Sequence, residues 1–366
     1  PRSSCRSSIT KQQWFDHFKT VFNDDTACDD DVADVDVDNS TMYVNAPSDV
    51  TLNSCISEVE IRLAINALKG NKAPGPDTII GEFYKNGVDV IMPFLVKYFN
   101  YIFDSGLFPD DWSLAVLQPL HKRGDVNNPD NFRGISLLNI CSKIYSFVLN
   151  KRISNWVDEH GLIGEEQAGF REGYSTTDHI FTLYAMVQKQ LIRHRKLYVA
   201  FIDFKKAFDS VSRCKLWVIL NKNGINGKML QALKSMYEVV RAKVRVGGDF
   251  TDSFLCPIGL KQGEINSPII FSLFINELTK DILSDGRHGI QLSPDFIQLL
   301  IILFADDVAL LSDSVIGLQT QLNILYNTAK RLDLIVNMEK SNIIVFRNGG
   351  HLAANEKWLY GRSEEH

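Results

Sequence analysis

Cysteine and histidine are scarce in this sequence, and neither is spaced as metal ligands usually are. Six of the 366 residues are Cys and eight are His, with no CxxC pair and no His cluster at zinc spacing. The cysteines lie far apart, at Cys5, Cys28, Cys55, Cys141, Cys214 and Cys256. This pattern is typical of reduced thiols, so we expect an intracellular protein of the nucleus or cytoplasm that is not secreted.

A hydrophobic run long enough to cross a membrane is also lacking. The most apolar run, residues 296–312, contains two Asp and is shorter than the roughly 18 to 20 residues that a span needs. No signal peptide opens the chain. The sequence therefore predicts no membrane contact, and it gives no sign of a protein partner.

An excess of basic charge is missing, although its absence has a local cause. The net charge is −5, yet eight Asp fall within residues 24–38, a stretch without Lys or Arg. Without these eight, the chain has 39 basic and 36 acidic residues. The remainder is mildly basic, which is compatible with nucleic-acid binding without requiring it.

The sequence changes character near residue 50. Residues 1–50 are polar and Asp-rich apart from a short aromatic segment, which predicts a mostly disordered acidic leader. Globular patterning then begins, with a capping box of Ser57 and Glu60 ahead of a helix that we expect to end at Gly70. Further along, strands alternate with helices, as in an α/β or α+β domain.

Three carboxylates follow or separate apolar strands. Asp203 ends the β-rich run 197–202, and Asp306 and Asp307 lie between the apolar runs 299–304 and 308–311 of a predicted hairpin. Adjacent buried carboxylates cost several kcal/mol unless cations neutralise them. The alternative is an exposed hairpin tip where two Asp merely favour a turn. If the strands are neighbours, all three carboxylates come together.

Such a set of oxygen ligands suits one kind of metal and one kind of chemistry. Carboxylates without His or Cys favour Mg²⁺ or Mn²⁺. Two such ions roughly 3.5 to 4 Å apart can activate a hydroxyl and stabilise leaving pyrophosphate, as polymerases require. A triphosphate also needs cationic side chains, for which Lys122, Arg123 and Arg133 are candidates. Their alternative role is that of solvated surface charges.

Eight motifs occur in an order that resembles a known family. The chain is similar, over roughly residues 56–360, to the reverse transcriptase domain of non-LTR (LINE-type) retrotransposons. The motifs lie at residues 71–77 (NKAPGPD), 117–138, 166–178, 201–209, 259–268, 304–307 (FADD), 336–341 and 350–360.

This resemblance implies a fold and an activity. The fold is the α+β right-hand polymerase fold, with fingers in residues 51–195, a palm in 196–360 and only the start of a thumb in 361–366. The activity is that of an RNA-directed DNA polymerase, which adds dNTPs to a DNA primer on an RNA template with Mg²⁺ or Mn²⁺.

The resemblance also implies roles for individual residues. Asp203, Asp306 and Asp307 hold the metals with the Phe204 carbonyl, and Lys340 protonates pyrophosphate. Lys122 and Arg133 contact the triphosphate. Gln262 contacts the sugar, and Phe208 is a steric gate beneath the ribose 2′ position. The nucleic acid is contacted by Gly263, Ser267 and Pro268. Phe208 could equally be a core residue, and Lys340 a surface lysine.

Three positions depart from the family pattern and leave an alternative open. Gly134 stands where the family usually has Pro, Asn266 where it has a small or apolar residue, and Asp333 where it has Gly. A vestigial nucleic-acid-binding protein without catalysis would tolerate such changes. A second alternative rests on residues 30–34, which spell the DDxxD signature of isoprenoid synthases, but that signature needs a long helix and here lies in the polar leader.

Overall fold

The computed structural model describes residues 8–22, 50–285, 289–291 and 298–361. The chain divides into two compact units. The first consists of Pro1–His160 and Phe208–Ile269, and the second of Gly161–Ala207 and Ile270–His366. Both contain helices and a sheet, which confirms the α+β class. None of the helices in the described ranges is long and apolar enough to cross a membrane.

The first unit is mainly helical around one sheet. Its helices are α1 (Lys11–Phe22), α2 (Val50–Asn53), α3 (Glu58–Ala67), α4 (Gly81–Asn86), α5 (Val88–Ser105), α6 (Asp110–Ser113), α7 (Ile140–Glu159), α9 (Arg213–Lys222) and α10 (Gly227–Glu238). The predicted capping box is confirmed, since Ser57 and Glu60 bond each other's backbone N–H groups at the start of α3. That helix ends at Ala67, three residues before the predicted Gly70.

The sheet of the first unit has the order β2-β1-β4-β5, with β6 also paired to β4. Its strands are β1 (Leu114–His121), β2 (Phe132–Leu137), β4 (Arg241–Val246), β5 (Asp249–Phe250) and β6 (Phe254–Leu255). The chain reverses direction at Gly247 and Gly248, which β4 and β5 flank as a hairpin. Strand β2 lies at one edge of the sheet.

Part of the leader that we expected to be disordered is a helix. In α1, Trp14, Phe18 and Phe22 recur every four residues and are buried, so one face of the helix packs on the first unit. The ring of Trp14 lies 4.9 Å from that of Phe132. The leader outside residues 8–22, including the DDxxD sequence, lies beyond the described residues.

The contact of α1 with the sheet also accounts for one departure from the family. A Cβ at Gly134 would come within 2.7 Å of the Phe18 ring, which is closer than carbon atoms pack. Any larger residue at position 134 therefore requires this ring to move.

The second unit is built on a four-stranded antiparallel sheet of order β11-β3-β10-β9. Its strands are β3 (Leu197–Ile202), β9 (Ile301–Phe304), β10 (Asp307–Ser312) and β11 (Asn342–Phe346), and β7 (Ile290–Gln291) pairs with β8 (Gln298–Leu299). Helices α8 (Thr176–Ile192) and α12 (Val315–Arg331) belong to this unit, and α11 (Ser267–Asp285) continues into it. Buried aliphatic residues of β3 and β10 form its core with Met186 of α8.

The second departure, Asn266, leaves a polar atom unsatisfied. The residue is fully buried, and its Oδ1 has no hydrogen-bond partner within the described part of the chain. Its Nδ2 reaches only the sulfur of Met236, at 3.9 Å. An unpaired buried acceptor costs about 1–3 kcal/mol, so Asn266 destabilises the fold.

We therefore expect Asn266→Leu to raise the free energy of unfolding by about 1–2 kcal/mol, because it removes the unpaired oxygen and keeps the branching of the side chain. Urea unfolding monitored by circular dichroism measures the change. Asn276→Leu is the matched control, since Asn276 is also buried but donates to the Leu162 carbonyl at 2.8 Å and should lose stability. A lower midpoint for Asn266→Leu would contradict the assignment.

Candidate active site

The three predicted metal ligands belong to the second unit. They lie at one edge of its sheet, the one where β3 ends and β10 begins. Strand β3 ends at Ile202, which pairs with Val308 of β10. Asp203 follows Ile202 and Asp307 precedes Val308, so the antiparallel register brings them to the same edge. The predicted hairpin is formed by β9 and β10.

Ala305 and Asp306 form the turn of this hairpin, closed by the pair Phe304 and Asp307. Ala305 has a φ of 61°, a left-handed conformation that suits hairpin turns but that non-glycine residues rarely adopt. It is buried, whereas Asp306 is half-buried and Asp307 is exposed. The turn therefore holds its apolar residue inward and leaves both carboxylates accessible.

Asp203 is held by the segment that precedes β11. Its N–H donates to the Ser341 hydroxyl at 3.1 Å, and its carbonyl accepts from the Asn337 N–H at 2.8 Å. The Asn337 side-chain amide also donates to Asp203 Oδ2, at 3.1 Å. The Lys340 ammonium lies 3.8 Å from the same oxygen. Asp203 thus has its backbone fixed and its carboxylate aimed by neighbours on one segment.

The carbonyl of Phe204 lies outside this backbone ladder. Phe204 forms an antiparallel bridge with Val336, and the bonds on either side run from the Lys205 N–H to Ile335 and from Asn337 to the Asp203 carbonyl. Neither bond uses the Phe204 carbonyl. Its oxygen is therefore not committed to this bridge, as its predicted role beside a metal requires.

The charges at this edge act on each other. The pKa of Asp307 is raised, first by partial desolvation and then by repulsion from Asp306 and Asp203. Among the described residues, no three His, Cys, Asp or Glu side chains gather closely enough to hold a metal ion. The donor set nevertheless fits Mg²⁺ or Mn²⁺, since it offers only oxygen atoms and a cation would relieve the repulsion that raises this pKa.

Gln262, the predicted sugar contact, belongs to the first unit and is oriented by Asp209. Its Nε2 donates to both carboxylate oxygens of Asp209, at 2.8 and 2.9 Å, and Asp209 is largely buried. An ionised carboxylate only accepts hydrogen bonds, so the amide NH₂ faces Asp209 and the amide oxygen faces away from it. Gln262 therefore presents an acceptor to any ligand.

We expect Asp209→Asn to raise the KM for dNTPs about fivefold with a smaller change in kcat, because an amide in place of this carboxylate permits either orientation of the Gln262 amide and weakens the bond that fixes it. Steady-state primer extension with varied dNTP measures both constants. Asp252→Asn, an exposed aspartate of the same unit, is the control and should leave KM unchanged. Equal KM values for wild type and Asp209→Asn would argue against this role.

Phe208 lies next to the segment that carries Gln262. The Leu260 N–H donates to the Phe208 carbonyl at 2.8 Å, and the Gly259 N–H donates to Val211 at 3.0 Å. The Phe208 side chain is half-buried, so it is neither a full core residue nor a fully exposed one. These bonds join the predicted steric gate to the predicted sugar contact within one unit.

The predicted nucleic acid contacts of the first unit differ in exposure. Gly263 is exposed with a φ of 112°, and a Cβ there would lie 2.8 Å from the Ser136 carbonyl, so only glycine fits. Pro268 is half-buried. Ser267 is buried, and its hydroxyl donates to the Lys261 carbonyl and contacts Tyr237. The Ser267 hydroxyl thus ties this loop to the start of α11.

The two predicted triphosphate contacts lie on one hairpin of the first unit. Lys122 follows β1, with its N–H donating to the Asn131 carbonyl at 2.9 Å. Arg133 of β2 pairs with Leu120 of β1. Both side chains are exposed, so either can meet an anionic ligand.

Sequence reasoning missed the residues that orient the predicted ligands. Asn337, Ser341 and Asp209 lie inside motifs that we recognised, but none was expected to hold Asp203 or Gln262. A signal was present for Asn337, since an amide within the motif after the FADD turn has no obvious packing role. The third departure, Asp333, has a φ of 57°, the left-handed region that the family's usual Gly adopts without strain.

Comparisons with known proteins show which family this chain resembles. Residues 120–360 match the family described as "Reverse transcriptase (RNA-dependent DNA polymerase)". The chain is 28% identical over 289 residues to the "Probable RNA-directed DNA polymerase from transposon BS" of Drosophila melanogaster, covering 77% of this chain and 31% of that protein. It is 26% identical over 314 residues to the "RNA-directed DNA polymerase from mobile element jockey" of the same species, covering 84% and 33%.

A relative from another insect and one solved structure extend the comparison. The type-1 retrotransposable element R2 polyprotein of Popillia japonica is 27% identical over 247 residues, covering 67% of this chain and 34% of that protein. A structure of telomerase from Candida albicans superposes with a TM-score of 0.46 at 14% identity, over 68% of this chain and 45% of that one.

The family match over residues 120–360 defines the class of this protein. The chain belongs to the reverse transcriptase (RNA-dependent DNA polymerase) family. Its relatives come from non-LTR retrotransposons, which confirms the predicted resemblance. The chain spans about a third of the length of the relatives that it matches.

Proposed function

We propose that this chain carries an RNA-directed DNA polymerase activity that adds dNTPs to a DNA primer on an RNA template, inside the cell. The observation that supports it most directly is the sheet edge where β3 and the β9–β10 turn present Asp203, Asp306 and Asp307. The raised pKa of Asp307 indicates that these groups already share one electrostatic site. An edge of mutually repelling carboxylates has little purpose without cations.

In this proposal the three carboxylates and the Phe204 carbonyl hold divalent metal ions. When bound, Mg²⁺ or Mn²⁺ supplies charge that activates the primer 3′-hydroxyl and stabilises the departing pyrophosphate. Asn337 and Ser341 keep Asp203 in place as substrate arrives. Lys340 is close to Asp203 and exposed, so its ammonium can deliver a proton to the leaving group.

The first unit would then supply substrate recognition. Lys122 and Arg133 would balance the triphosphate charge, since guanidinium and ammonium groups bind phosphate oxygens strongly. Gln262 would accept a hydrogen bond from the sugar, and Phe208 would exclude a 2′-hydroxyl. Gly263 and Pro268 would lie against the nucleic acid at positions that admit its backbone closely.

A primer-extension assay on poly(rA)/oligo(dT) tests the proposal. We expect dTTP incorporation in Mg²⁺ or Mn²⁺ that stops when the metal is chelated. An anisotropy titration of the same primer-template, run in parallel, reports binding independently of chemistry. Binding without any extension in either metal would contradict the polymerase proposal.

A further inference from the structure

Gln167 is a buried glutamine whose side chain bonds the turn that carries Asp306 and Asp307. It is 1% exposed. Its Oε1 accepts a hydrogen bond from the Ala305 N–H at 2.9 Å, and its Nε2 donates to the Ala305 carbonyl at 3.2 Å. One amide therefore satisfies both backbone groups of the residue before Asp306.

The conformation of Ala305 explains why such support is needed. Its φ of 61° is one that an alanine rarely adopts, and it lies in the turn, outside the β9–β10 ladder. Being buried, its N–H and carbonyl require partners. Gln167 supplies both and so favours this conformation over others that the turn could take.

The segment around Gln167 is itself tied to β9. The Ala168 N–H donates to the Leu303 carbonyl at 3.0 Å, and the Leu303 N–H donates to Glu166 at 2.7 Å. Next to it, a Cβ at Gly169 would lie 2.1 Å from the Ala305 nitrogen, so only glycine allows this approach. The Gly169 N–H also donates to Gln167 Oε1, at 2.8 Å, which orients the amide.

We infer that Gln167 is a positioning residue for catalysis, which sets Asp306 and Asp307 in the geometry that binds metal by fixing Ala305. It acts through the backbone and has no need to touch substrate. Metal ligands must be held within fractions of an ångström, and the residues that orient them matter nearly as much as the ligands. The inference rests on the proposed function, because it assigns Asp306 and Asp307 to metal.

The test compares Gln167→Met with Gln321→Met in the full chain. Gln321 is an equally buried glutamine that donates to the Leu311 carbonyl at 2.9 Å, on the same hairpin but away from the carboxylates. Each substitution removes one buried amide that bonds the backbone of the β9–β10 hairpin. A merely structural role predicts similar behaviour, whereas a positioning role predicts that they differ at the metal site.

Three readouts separate these outcomes. For Gln167→Met we expect a fall in kcat of at least about tenfold with little change in the KM for dNTP. Titration with Mn²⁺ alone, followed by electron paramagnetic resonance, should show weaker binding by a factor of about five or more. The Ala305 amide should exchange with solvent at least about tenfold faster. Gln321→Met should leave all three near wild type, and matching values in the two variants would overturn the inference.

Gln167→Glu covers the case in which Gln167→Met unfolds. It keeps an acceptor for the Ala305 N–H but loses the donor to the Ala305 carbonyl, so Ala305 should stay protected from exchange and kcat should fall between wild type and the Met variant. A wild-type kcat would overturn the inference. If the wild type itself neither binds Mn²⁺ nor extends a primer, the proposed function fails, while exchange at Ala305 still reports separately on whether Gln167 holds the turn.

Discussion

Asp306→Asn should abolish nucleotide incorporation, with a loss of at least about a thousandfold. The substitution keeps the shape of the turn but removes a charged oxygen ligand. Metal stabilisation of a transition state is worth several kcal/mol, and a loss of about 1.36 kcal/mol slows the reaction tenfold. Asp203→Asn should cause a similar loss of nucleotide incorporation. Single-turnover extension at saturating dNTP measures the loss. Asp313→Asn, an exposed aspartate just beyond β10, is the matched control and should keep full activity.

The same variant should be more stable than wild type when metal is absent. Asp306 contributes to raising the pKa of Asp307, and a carboxyl with a raised pKa in the folded state destabilises that state once it ionises. The penalty develops as the pH rises through the ordinary aspartate pKa of about 3.9 and is complete above the raised pKa, and it is absent well below both, where Asp307 is protonated in the folded and the unfolded state. Because Asp307 is exposed, we expect a gain of under about 1 kcal/mol at pH 7 and none at pH 3. Wild-type activity in Asp306→Asn would refute the site.

Phe208→Ala should relax the choice of sugar. If the ring occupies the space of a ribose 2′-hydroxyl, its removal should raise incorporation of ribonucleotides relative to deoxyribonucleotides by about 10- to 200-fold, the discrimination that a shaped pocket provides. The ratio of kcat/KM for rUTP and dTTP measures it. Since both substrates are tested on one protein, any general loss of folding cancels in the ratio.

Two further results would make the role of Phe208 specific. Phe208→Val should give an intermediate ratio, because it removes only part of the bulk. An unchanged ratio with activity retained would show that the half-buried ring only packs within the first unit. Phe208 would then be the core residue that the sequence also allowed.

The elements that carry the acidic site could be predicted because their patterns are local. An apolar run of six residues before Asp203 and two apolar runs around Asp306 specify strands and a hairpin by composition alone. The capping box before α3 is a local signal of the same kind. Even here the sequence left open whether Asp306 and Asp307 mark an exposed turn, and Asp307 is indeed exposed while still coupled to its neighbours.

What could not be predicted depends on contacts between distant parts of the chain. Gln167 and Ala305 are separated by 138 positions, as are Asp203 and Ser341, and no local period encodes such pairs. The helix Lys11–Phe22 was missed for another reason. The aspartates of residues 24–38 dominated the composition of the leader, although aromatic residues every fourth position already indicated a buried helical face.

The packing of Phe18 against Gly134 makes substitutions at these two positions interdependent. Strand β2 is an edge strand, and Gly134 pairs with Pro119, so its backbone could accept the proline that the family usually has there. The ring of Phe18 occupies the space that the Cβ of such a residue would need. A proline at position 134 should therefore cost stability while Phe18 is in place and cost less once this side chain is shortened, so the effects of the two substitutions should not be additive.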